Sequence, residues 1–89
     1  MNLEELRTQI DAIDSQLTQL LENLMALVLQ IAEHKKVNGA AIQDNSREQV
    51  VLEKVARRVQ NPVYVDSIVN TYKDILKNSR DYQKQLLKK

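Results

Sequence analysis

Nine aliphatic residues open the chain at alternating steps of three and four: Leu3, Leu6, Ile10, Ile13, Leu17, Leu20, Leu24, Leu27 and Ile31. That spacing is an apolar heptad seam, and it predicts one long helix. Asn2 stands where an N-cap belongs, and Glu5 three residues later completes the capping-box spacing. Glu4 and Glu5 suit the positive end of the helix dipole, and His34, Lys35 and Lys36 suit the negative end. Gly39, the only glycine, follows where a left-handed C-cap residue is expected. The first helix should therefore run from about Leu3 to about Val37, roughly 50 Å at 1.5 Å per residue. A compact globule of 89 residues has a radius of gyration of only about 12 Å. The helix must overhang its own protomer, and the cheapest cover for its seam is a second copy related by a twofold axis.

The rest of the chain supplies two more helices and no strand pattern. Residues Asn38 to Asn45 read as a loop. Asp44, Asn45 and Ser46 are candidate caps for a second helix, and Ser46 with Gln49 again has capping-box spacing. This helix should run to about Gln60, with Val51, Leu52, Val55 and Val59 inward. Asn61-Pro62 then ends one helix and starts the next. The third should reach about Leu87 on a stripe of Val65, Ile68, Val69, Tyr72, Ile75, Leu76, Ser79, Gln83 and Leu86. The expected architecture is all-α: three helices per protomer in an intertwined helical-bundle homodimer, with residues 1–89 as one domain.

Composition narrows the function. Thirteen Lys and Arg against twelve Asp and Glu leave a net charge of +1, which argues against a dedicated nucleic-acid binder. There is no cysteine, so neither a disulfide nor a thiolate metal site is available, and the cytoplasm is the expected compartment. The N-terminus lacks the basic start and apolar run of a signal peptide. No stretch approaches the ~18 apolar residues of a membrane span. His34 has no companion His or Cys for a metal site and reads as structural or half-exposed.

Candidate site residues are polar groups in places that favour apolar ones. Ser79 and Gln83 sit four apart on the third helix's stripe; they mark either a frayed helix end or a site. Lys35 lies eleven residues after Leu24, at nearly the same azimuth, and either extends the seam or offsets the dipole. Asp44, Arg47 and Glu48 cluster at the start of the second helix. An arginine there opposes the dipole and calls for an anionic partner. That partner is either Asp44 or Glu48 itself, or a carboxylate ligand held by two parallel hydrogen bonds. Arg7, one residue after Leu6, reads by itself as a solvated flank of the seam.

Taken in order, these residues carry a family pattern. The run Leu6-Arg7-x-x-Ile10-Asp11-x-Ile13-Asp14-x-x-Leu17, the Leu20-Leu21 pair, Ile31, Lys35, Ile42-x-Asp44-x-x-Arg47-Glu48-x-x-x-Leu52 and Ser79-x-x-x-Gln83 resembles the all-α (AroQ-type) chorismate mutase family. The resemblance covers almost the whole chain. It implies an intertwined dimer whose two active sites rearrange chorismate to prephenate without cofactor, metal or covalent intermediate. It implies that Arg7 reaches a substrate carboxylate in the partner's site. Lys35 would contact the ether oxygen and a carboxylate, and Arg47 would help hold the dianion. Asp44 and Glu48 would lie near the ring hydroxyl, Ser79 would assist a carboxylate, and Gln83 would donate to the ether oxygen. Lys35, Gln83 and Glu48 thus take the catalytic roles. Such a reaction needs orientation and cations, rather than a general acid or base.

One position departs from the pattern. The family places an arginine seventeen residues after Arg7, and here that residue is Leu24. A buried charge left without its partner typically costs ~3–5 kcal/mol. Lost wholly from the transition state, that slows the reaction about a hundred- to several thousand-fold. Conversely, an apolar side chain in place of a buried charge can stabilise a bundle by ~1–4 kcal/mol. Two readings follow: a mutase with reduced activity, or a non-catalytic helical dimer that keeps the scaffold as an interaction or regulatory module. Retention of the seven other site residues favours the first. A generic coiled-coil adaptor explains the first helix but not the start of the second. With no separate effector domain, no feedback regulation is expected.

Overall fold

The computed structural model describes residues 1–87. Three helices account for most of them: α1 (Leu3–Asn38), α2 (Asn45–Arg58) and α3 (Val65–Leu87). A short 3-10 turn, Pro62–Tyr64, leads into α3. No strand occurs among the described residues.

The expected punctuation of α1 holds at both ends. The Asn2 side chain accepts a hydrogen bond from the Glu5 backbone N–H at 2.8 Å. Gly39 closes the helix in the left-handed region at φ 67°, its N–H donating to the Lys35 carbonyl. The expected capping box on α2 does not form. Asp44 is the cap, accepting from the Arg47 N–H at 3.0 Å, so the helix begins one residue before Ser46. The earlier carboxylate prevails because its backbone is extended, as a capping residue requires. α2 also ends at Arg58 rather than near Gln60; Val59 is already extended. Asn61 caps the 3-10 turn by accepting from the Val63 N–H at 3.0 Å, with Pro62 in its first turn.

α3 is the shared support. It packs against both α1 and α2, while the backbones of α1 and α2 do not come within packing distance of each other. Within α1, burial begins only at Leu24. The buried residues there are Val28 and Ala32, 6% and 1% exposed. Neither belongs to the heptad seam. Each lies one residue after a seam position, Leu27 and Ile31, so α1 has two faces: a narrow one turned to α3 and the long seam, which is turned outward up to Leu20. Ala32 suits the inner face because a methyl side chain lets the helices approach closely.

The outward seam is uncovered within the chain. Every residue from Met1 to Asn23 is exposed, and Leu20 keeps 62% of its surface in solvent. The chain measures 54 × 27 × 15 Å, with a radius of gyration of 16.1 Å, well above that of a compact globule. No helix among the described residues is long and apolar enough to cross a membrane.

The Gly39 cap allows a clean test. A β-carbon added there meets nothing within 4 Å, so only backbone strain opposes a side chain. Gly39→Ala should cost about 1 kcal/mol in urea unfolding. Gly39→Asn should cost less, because asparagine tolerates the left-handed region.

Candidate active site

The space left between α1 and α2, above α3, is a cavity of about 480 Å³. α1 lends it Leu24, Val28, Ile31 and Lys35. The connecting loop adds Ile42 and Asp44, and α2 adds Arg47, Glu48, Val51, Lys54 and Arg58. From α3 come Tyr72, Ile75, Leu76, Ser79, Arg80 and Gln83. Its walls are therefore apolar toward the middle of the helices and polar where Lys35, the α2 start and the end of α3 converge.

Seven of the eight residues singled out from sequence line this cavity: Leu24, Lys35, Asp44, Arg47, Glu48, Ser79 and Gln83. Arg7 does not. It lies seventeen residues before Leu24 on one continuous helix, roughly 26 Å away along the axis. Its own protomer's cavity is out of its reach.

The alternatives left open for the polar residues are resolved by their surroundings. Ser79 and Gln83 do not mark a frayed end, since α3 continues to Leu87. They are the buried polar residues of the helix, 9% and 6% exposed. Gln83 Nε2 donates to Ser79 Oγ at 3.3 Å, and Gln83 Oε1 is buried with no partner. An unpaired buried acceptor costs ~1–3 kcal/mol, so it marks a place where a ligand gains. Lys35 serves more than the dipole: its ammonium donates to the Ile42 carbonyl at 2.8 Å, part-buried, and ties the loop to α1. His34 is exposed and lies 3.3 Å from the Asn38 side chain, a local contact at the helix end.

Arg47 does not take either local anion as an ion-pair partner. Asp44 receives its backbone N–H, and Glu48 pairs instead with Arg80 of α3. Among the described residues the Arg47 guanidinium has no salt bridge.

Three cations of the cavity were not picked out from sequence: Lys54, Arg58 and Arg80. Two were within reach of helical arithmetic. Lys54 and Arg58 follow Arg47 by seven and eleven residues, within about 20° of its azimuth at 3.6 residues per turn. With Val51 they form the one face of α2 turned to the cavity. Arg80 gave no such signal, because it lies one residue off the apolar stripe of α3. In all, five cations face two carboxylates, Asp44 and Glu48. Both carboxylates are engaged within the protein. The cavity thus concentrates positive charge in a chain whose net charge is only +1, and it suits a ligand with more than one negative charge.

Comparison with known proteins accords with this geometry. Residues 6–84 match the family described as chorismate mutase type II. The chain belongs to that family. It is also 36% identical over 89 residues to a bifunctional chorismate mutase/prephenate dehydratase of Buchnera aphidicola subsp. Schizaphis graminum (strain Sg). The alignment covers 99% of this chain and 23% of that protein, so the chain spans under a quarter of its relative's length. The matched region takes in every residue of the cavity and Arg7 as well.

Asp44 has two separable parts in this type II mutase fold, as cap and as charge. Asp44→Ala should lower stability to urea by about 1 kcal/mol. Asp44→Asn should restore it, because asparagine caps as well as aspartate. Stability equal in all three proteins would contradict the capping role.

Proposed function

We propose that the chain is a chorismate mutase, an isomerase that rearranges chorismate to prephenate within the cytoplasm, working as a homodimer with shared sites. The observation that carries this reading is the convergence of Lys35, Arg47, Glu48, Ser79 and Gln83 on one cation-rich cavity in a chain of the type II family.

The reaction is an intramolecular Claisen rearrangement. The ether C–O bond breaks as a C–C bond forms between the enolpyruvyl arm and the ring, and no proton is transferred. It calls for no cofactor or metal. Its barrier falls when the arm is held over the ring and when donors meet the negative charge growing on the ether oxygen. Arg47 holds the dianion and Ser79 assists one carboxylate. Lys35 contacts the ether oxygen and a carboxylate, exchanging the Ile42 carbonyl for the substrate. Asp44 and Glu48 lie toward the ring hydroxyl.

Gln83 supplies the second donor to the ether oxygen. Turning its amide by half a rotation keeps the Ser79 contact, with the hydroxyl now donating to Oε1. Nε2 then stands where the unpaired oxygen was, aimed at the ligand. Amide oxygen and nitrogen are near-identical in shape, so the exchange needs no repacking.

Arg7 completes the site from a second copy. Its distance from the cavity of its own protomer and the uncovered seam around it support the same assembly. Sedimentation at micromolar concentration should show twice the protomer mass of 10.3 kDa. A stable folded monomer would rule out the shared site.

Leu24 sets the rate. It is half-buried on the cavity wall, where a cation would meet a substrate carboxylate. The chain as it stands should deplete chorismate slowly, followed by absorbance. Leu24→Arg should raise the rate about a hundred-fold or more. A folded Leu24→Arg protein that stays at the uncatalysed rate would sink the mutase reading and leave the non-catalytic dimer.

A further inference from the structure

One contact in the cavity has no part in the roles above. Arg80 of α3 and Glu48 of α2 form an ion pair across the space between the helices, with Arg80 Nη1 donating to Glu48 Oε1. Their side chains are only 22% and 20% exposed, and both line the cavity. We propose that Arg80 is a positioning residue: it fixes the Glu48 carboxylate in the cavity wall, so that Glu48 can accept a hydrogen bond from the substrate's ring hydroxyl. This rests on the mutase reading and adds a residue to it.

Three observations support the assignment. The first is charge. A free carboxylate beside a dianionic substrate repels it, and Glu48 is tolerable there only with a cation at its side. Lys35 is held by the Ile42 carbonyl, and Arg47 makes no salt bridge among the described residues. Arg80 is the cation that offsets Glu48, which leaves the others for the ligand.

The second is valence. Only Oε1 of Glu48 is engaged; among the described residues Oε2 has no protein partner. A carboxylate held at one oxygen by a guanidinium presents the other as a fixed acceptor. The third is placement. Arg80 lies between Ser79 and Gln83, and Glu48 lies one residue after Arg47. The pair therefore ties the polar end of α3 to the start of α2, where rigid spacing matters most for an orientation-driven reaction.

The test compares R80M, E48Q, the double variant and R80K in the intact chain. It reads kcat and KM for chorismate and the affinity for prephenate by calorimetry. R80M should lower kcat/KM about ten-fold, the scale of one charge-assisted hydrogen bond. It should weaken prephenate binding on the same scale, because the ring hydroxyl is present in substrate and product alike. The double variant should be no slower than E48Q, because Arg80 acts only through Glu48. R80K should recover most of the loss.

Losses that multiply in the double variant would overturn the proposal, since Arg80 would then touch substrate on its own account. So would an R80M protein that differs only in unfolding midpoint, which would make the pair a strut. If circular dichroism shows R80M unfolded, R80Q replaces it in the same comparison. The two readings fail separately. A parent chain and a folded L24R variant that both fail to turn over chorismate remove the mutase reading, and the inference with it. A parent that turns over chorismate but is indifferent to R80M removes the inference alone.

Discussion

α1 and α2 never pack on one another; each rests on α3. That constraint creates the cavity. Had α1 and α2 closed over α3 as a compact three-helix bundle, the space of about 480 Å³ would have been filled by Leu24, Val28, Val51 and Ile75. The connection between them is short and anchored. Gly39 stops α1 abruptly, Asp44 starts α2 five residues later, and Lys35 ties the intervening loop back to α1 through the Ile42 carbonyl. The polar end of the cavity is built from the same stretch of chain. The residues that anchor this connection are thus neighbours of, or the same as, those proposed to hold the ligand.

Much of this was legible in the residues. The heptad seam, the caps at Asn2 and Gly39 and the Asn61-Pro62 junction all act locally, through spacing and backbone preference, and local signals survive into the fold. The convergence of Lys35, Arg47, Glu48, Ser79 and Gln83 was legible only through the family pattern. Nothing in periodicity says that the start of α2 faces the end of α3. What remained hidden was set by tertiary contact. Glu48 takes Arg80 rather than Arg47 because α3 places a guanidinium beside it. Asp44, Asn45 and Ser46 were all candidate caps for α2, and which of them would serve was settled only in the fold, where Asp44 does. The inner face of α1, Val28 and Ala32, was masked by the stronger seam beside it.

The cavity also shows how charge and packing compete at one position. Leu24 continues both the seam and the apolar wall, and there it is consistent with every local preference of the helix. Against it stand five cations on the cavity walls. They repel one another, and only two carboxylates offset them. A multiply charged anion would offset that repulsion. In a cavity of this kind the polar residues are justified by occupancy and the apolar ones by stability, and Leu24 belongs to the second group.

Three apolar side chains among the described residues are buried: Val28, Ala32 and Val55. Ordering a chain of this length costs far more conformational entropy than so thin a core can offset. The second copy proposed to cover the seam of α1 would therefore enter the thermodynamics of folding itself, and the folded fraction would become a matter of mass action. In that assembly dilution would act as a denaturant.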